Sequence, residues 1–181
     1  SIRIQYFTFW GDESGWEIAK KLIELKKQGI NIKIIVDPYS NLYPNSQSMF
    51  FKFKQNGIEV LGYEVAYMYA LNMLSPKDDI EAVMNKLNRR FHEKILVVDA
   101  ELPDSAIAIV GGANIGNKYF KIENGLSAWR DKDVVLKGSI VQDVARAFDN
   151  NFIEITQYRE NQALMNTDQI WKIAVFVRDV L

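Results

Sequence analysis

Cysteine is absent from the 181-residue chain. That excludes disulfide frameworks, zinc–thiolate sites, iron–sulfur clusters and cysteine nucleophiles. No apolar run approaches the roughly 20 residues that a membrane span needs. The opening Ser1-Ile2-Arg3-Ile4-Gln5-Tyr6 lacks the basic-then-apolar order of a secretory signal. Charge of one sign is lacking too: 22 Lys+Arg stand against 23 Asp+Glu, a formal net charge of -1. A protein that holds nucleic acid by its bulk field is thereby excluded, while a local basic patch is not. Histidine occurs once, at position 92.

What is present suits a packed domain. Hydrophobic residues make up 48% of the chain, enough for a core, and the length fits a single domain over 1–181. Ile2 to Trp10 is β-branched and aromatic and reads as a buried strand. Ser14 can cap a helix that begins near Gly15, carries Trp16, Ala19, Leu22, Ile23 and Leu25 at helical spacing, and stops at Gly29. Ile30 to Val36 is a second strand. This strand–helix–strand order predicts parallel pairing with a right-handed crossover.

Asn41 to Gln47 reads as a turn-rich loop, Ser48 to Gln55 as a short helix, and Ile58 to Tyr63, Phe91 to Asp99, Ala106 to Val110 and Val134 to Lys137 as strands. Ile140 to Gln157 has helical periodicity, and Ile170 to Leu181 is ambiguous between strand and helix. Residues 63–90 form a long insertion of the kind that carries function. The expected architecture is a mixed, largely parallel β-sheet sandwiched between helices, an α/β domain.

The chemistry-bearing residues cluster around His92. A lone histidine is more often structural, but Lys94 lies two residues on, so in a strand both side chains project from one face. A neighbouring ammonium favours the neutral imidazole, a competent nucleophile beside an anion-binding cation. Asp99 falls on the opposite face and reads as a strand-end group that bonds backbone at the following turn. After the next strand comes Gly111-Gly112-Ala113-Asn114. Glycines there allow close approach of backbone N–H groups to a phosphate, and Asn114 adds a neutral donor.

His92-Glu93-Lys94-Ile95-Leu96-Val97-Val98-Asp99 fits H-x-K-x4-D, and Gly111-Gly112-Ala113-Asn114 follows at a matching interval. In this the chain resembles the phospholipase D superfamily. Its Tyr6–Trp10 strand, Gly29-Ile30, Val36-Asp37, Gly57-Ile58, Trp129-Arg130-Asp131 and Gly138 resemble the first catalytic half of bacterial cardiolipin synthase-like proteins. Gly112 departs from the serine of many members. The resemblance implies an α-β-α fold and catalysis without metal or other cofactor. His92 would attack phosphorus to give a phosphohistidine, while Lys94, Gly112 and Asn114 bind the phosphate. Asp99 and Gly111 would serve as structural parts of the motif. An acidic residue would orient the imidazole: Asp131 by its place after Trp129-Arg130, with Asp133 the alternative and Glu123 a weaker one.

Members of that superfamily act on phosphodiesters in lipids or in nucleic acids. The missing basic excess, together with an apolar aromatic segment holding Tyr67, Tyr69 and Leu71, favours phospholipid and a peripheral membrane contact over nucleic acid. Other readings are a metal-independent homodimeric endonuclease and a half-site binding module. One motif in the chain implies a partner for catalysis, either the second half of a longer parent chain or another copy in a homodimer. The start without Met, directly in strand-like sequence, is an expectation for an excised or processed piece. Any anchor to a bacterial membrane would then lie elsewhere.

Overall fold

A computed structural model describes residues 1–37, 39–62, 91–120 and 129–157. The expectations for 63–90, for Glu123 and for 170–181 lie outside the described residues, and Tyr67, Tyr69 and Leu71 with them.

Six strands form one sheet in the order β3-β2-β1-β4-β5-β6. They are β1 (Ile2–Tyr6), β2 (Ile32–Val36), β3 (Glu59–Leu61), β4 (Lys94–Val98), β5 (Ile107–Gly111) and β6 (Asp133–Lys137). The mixed sheet between helices is as expected; its balance is not. Only β1·β2 and β2·β3 pair parallel, while β1·β4, β4·β5 and β5·β6 are antiparallel. Parallel pairing is confined to the half built by helical crossovers. In the other half only β4 and β5 are joined directly, by the non-helical residues 99–106, a short connection that antiparallel strands permit.

The helices are α1 (Glu13–Lys27), α2 (Pro44–Gln55), a single turn α3 (Asn117–Phe120), and α4, which covers 140–157. Asp12, not Ser14, caps α1: its Oδ1 accepts from the Gly15 N–H at 3.0 Å. Its Oδ2 accepts from the Asn117 N–H at 2.7 Å, so one carboxylate caps two helices. α2 starts earlier than its apolar pattern suggests because Pro44 stands in its first turn, where the missing N–H costs nothing. α1 and α2 cover one face of β1–β3 through Leu22, Met49, Phe50 and Phe53, packed on Ile4, Ile32 and Ile34. α4 covers the other face, setting Val141 and Ala145 on Val97 and Ala108, and Phe148 and Phe152 on Ile35 and Leu61. Arg3 ties β1 to α4 by two bonds to Asp149, at 2.9 and 3.0 Å.

β1 is shorter than its β-branched run. It ends at Tyr6, and residues 7–12 form a loop held from three sides. Buried Asn41 accepts from the Phe9 N–H at 2.8 Å and donates to the carbonyls of Phe7 and Asp37. Ser46 Oγ accepts from the Gly11 N–H, and Asn114 Oδ1 accepts from the Thr8 N–H. Three side chains thus supply the partners that a ladder would otherwise give.

Candidate active site

The loop after β1 brings the motif residues together. Phe7 lies against the His92 ring, centroids 4.8 Å apart, and the Lys94 ammonium sits over the same phenyl ring at 5.1 Å. The next residue, Thr8, donates its N–H to Asn114 at 3.0 Å. Two consecutive residues therefore touch all three.

His92 does not share a strand with Lys94. β4 begins at Lys94, and His92 lies just before it with an exposed side chain. Common orientation comes from a local bond instead: Lys94 Nζ donates to the His92 carbonyl at 2.6 Å. Lys94 is buried, and burial lowers its pKa from the ordinary lysine value, opposed by the charges of Asp131 and Glu93. Glu93 is held in place by Gln5, fully buried in β1, whose Nε2 donates to it at 3.0 Å while its Oε1 accepts from Asn151.

Register explains why these groups meet. Tyr6 pairs with Lys94 and Gly111 with Asp133, and the pairing of Ile95 with Val110 sets Lys94 beside Gly111. One row across four strands thus carries phenol, ammonium, a bare glycine and a carboxylate on one face. Burial, aided by the charge of Asp133, pushes the Tyr6 phenol up to about 12.

The two glycines have a reason different from open space. A side chain at Gly112 would run into the carboxylate of Asp131, and one at Gly111 into the carboxylate and backbone of Asp133. Asp133 Oδ1 also accepts from the Ala113 N–H at 3.2 Å, and Asp131 Oδ1 from the Lys132 N–H at 3.1 Å. Among the described residues no hydrogen bond joins Asp131 or Asp133 to His92. Asn114 is buried, its Oδ1 fixed by Thr8 and its Nδ2 donating to the Tyr119 hydroxyl at 2.9 Å. Asp99 stands at the far end of β4, roughly 17 Å of strand from Lys94, in a left-handed backbone conformation (φ 53°). Its carbonyl closes the following turn by accepting from the Leu102 N–H, whereas its carboxylate takes the Ser1 nitrogen instead of the turn.

Sequence reasoning missed Phe7, Gln5, Asn41 and Tyr119. A signal existed only for Asn41, a short polar residue just past a strand-ending Asp-Pro, where side chains commonly bond loop backbone.

Residues 1–155 match the family model described as cardiolipin synthase, PLD-like domain. The chain belongs to this family of phospholipase D-like domains. Cardiolipin synthase from Clostridium perfringens is 26% identical over 147 residues, covering 81% of this chain. A probable cardiolipin synthase of Bacillus subtilis is 24% identical over 168 residues. The chain spans 27% of the first relative's length and 29% of the second's. Two solved structures share the fold. The phospholipase D family member Nuc from Salmonella typhimurium has a TM-score of 0.53 at 16% identity, over 83% of this chain and 76% of that one. NucT from Helicobacter pylori has 0.55 at 15%, over 85% and 79%.

Proposed function

We propose that this domain supplies a phosphohistidine half-site for cleavage or transfer of phospholipid phosphodiesters. The observation that carries the reading is the joining of His92, Lys94 and Asn114 through Phe7 and Thr8. The neutral imidazole of His92 attacks phosphorus, a bond forms to nitrogen, and the alcohol oxygen leaves with a proton from an acid. Water or a second alcohol then takes the phosphoryl group from the histidine. Transfer to an alcohol is open to such an intermediate because it waits for an acceptor. Lys94 spends one N–H on the His92 carbonyl and keeps two for nonbridging oxygens. Asn114, with its oxygen fixed, presents its remaining N–H; both act where charge grows in the transition state. Asp131 acts here through Lys94, holding its charge against burial; orientation of the imidazole by Asp131 or Asp133 needs a movement of either carboxylate toward His92.

The match to the cardiolipin synthase family favours phospholipid. A homodimeric endonuclease is the second reading, favoured by the single H-x-K motif in the chain. Assay of the full-length protein with phosphatidylglycerol vesicles and, separately, with single- and double-stranded DNA separates the two. Lipid turnover that His92→Asn abolishes, with an unchanged circular dichroism spectrum, supports the first. DNA cleavage without lipid turnover replaces it with the second.

A further inference from the structure

Beside the candidate site lies a surface that the phosphodiester chemistry does not use. Lys118, on α3, places its ammonium over the ring of Trp10 at 5.4 Å and over that of Trp129 at 4.8 Å. The two indoles meet edge to face, with centroids 6.5 Å apart, and Tyr119 packs edge-on against Trp129 at 5.4 Å. The cluster is not core: Trp129 is 55% exposed, and Tyr43, beside the cluster on the groove, is 64% exposed. Tyr43, Trp10 and Lys118 line one shallow groove. Tyr119 also bonds Asn114, so the surface adjoins the candidate site.

The formal charges that line the groove, Lys118 and Asp12, cancel, but the Asp12 carboxylate is turned to the N-termini of α1 and α3. Asp12 is the acidic residue that lines the groove. Both of its oxygens are committed to the N–H groups of Gly15 and Asn117. Among the described residues no carboxylate pairs with Lys118. Indole and phenol rings with an apolar body and a polar edge favour the boundary between hydrocarbon and water. A lysine among them adds attraction to anionic headgroups. Each indole already gives one ring face to Lys118, which leaves one face fewer for stacked bases.

We infer that Trp10, Tyr43, Lys118 and Trp129 form a docking surface for an anionic phospholipid bilayer. It seats the domain with Asn114 and its neighbours facing headgroups. The inference rests on the phospholipid reading of the site, which it extends from the scissile ester to the surface that carries it.

Flotation with phosphatidylglycerol/phosphatidylcholine vesicles, compared with phosphatidylcholine alone, tests it without requiring turnover. The protein should float with the anionic vesicles. Lys118→Glu should weaken partitioning at least about fivefold, the loss expected for one cationic side chain at such a surface. Trp129→Ala removes contacts within the cluster and is open to misfolding. Tyr43→Ser is the safer companion: Tyr43 is the N-cap of α2 and makes no capping bond, so serine favours the helix. Its folded variant should also float less. His92→Asn should float like the parent, which separates docking from chemistry. Equal flotation of the parent and both folded variants, no flotation of the parent, or binding only to a single-stranded oligonucleotide would each overturn the inference. Loss of lipid turnover with docking intact would instead strike the proposed function.

Discussion

The carboxylate of Asp131 fills the space that a side chain on Gly112 would occupy. A residue of the loop before β6 and one just past β5 thereby exclude each other, and the glycine is the concession that lets the acid approach Lys94. Gly111 faces a harder neighbour, since a methyl there would meet the Cα of Asp133 and the Lys132 carbonyl as well. Gly112→Ala should therefore cost under about 1 kcal/mol, because an exposed carboxylate can swing aside. Gly111→Ala should cost about 1–3 kcal/mol, as overpacking against backbone does. Chemical denaturation of both variants checks the order; equal losses would show that Asp131 is not free to move.

Asp131 should also govern the alkaline side of activity. Burial lowers the Lys94 pKa and Asp131 raises it, so Asp131→Asn removes a support and the ammonium loses its proton at lower pH. In the complete enzyme the alkaline limb of kcat/KM should move to lower pH in Asp131→Asn. Lys94→Met should cost roughly 10²–10³ in kcat, the loss typical of one transition-state donor. An alkaline limb that stays put in Asp131→Asn would detach the acid from Lys94.

The motif was legible because its chemistry is local. H-x-K and G-G-x-N have fixed spacings, and the strands that carry Lys94 and Gly111 have unambiguous β-branched runs. Boundaries were less legible where a long-range partner decides them. Ile2 to Trp10 has strand composition throughout, yet β1 stops at Tyr6 because Asn41, Ser46 and Asn114 offer the next N–H groups other acceptors. The antiparallel half of the sheet was hidden for a related reason. Alternation of strand and helix predicts crossovers only where a helix intervenes, and none of the described residues between β4 and β5 is helical. Phe7 and Gln5 left no signal, since an aromatic or an amide in a strand reads as core or surface until register is known.

Tyr6 supplies a stability test at high pH. Its phenol has a folded pKa of about 12 against an ordinary 10.0. A raised value means that the folded state holds the proton longer, so the contribution is complete below pH 10 and is lost as the pH rises through 12. Unfolding free energy should therefore fall across that window, and Tyr6→Phe should flatten the fall. Urea melts at pH 9 and pH 11.5 measure both. Equal slopes in parent and variant would mean that another group carries the alkaline dependence.

The last expectation concerns the proton that the leaving oxygen needs. An alkoxide is a poor leaving group near neutral pH, so a general acid must meet it. His92 is the single histidine of the sequence and is spent as the nucleophile in the proposed reaction. Tyr6, with its phenol pushed up to about 12, is a weak acid at neutral pH. In the proposed reaction the acid would then come from a second motif, in another copy or in a second half of a longer parent chain. Edge strand β6 leaves Val134 and Val135 56% and 58% exposed, next to the row that ends at Asp133. If a second copy supplies the acid, specific activity of the 181-residue chain should fall on dilution through the dimer dissociation constant. Adding inactive His92→Asn chains in excess should poison what remains. If a second half in a parent chain supplies it, the 181-residue chain alone should bind inorganic phosphate yet turn over slowly at every concentration. Analytical ultracentrifugation alongside the assay separates these cases, and full turnover by a demonstrated monomer would show that the acid lies within this chain.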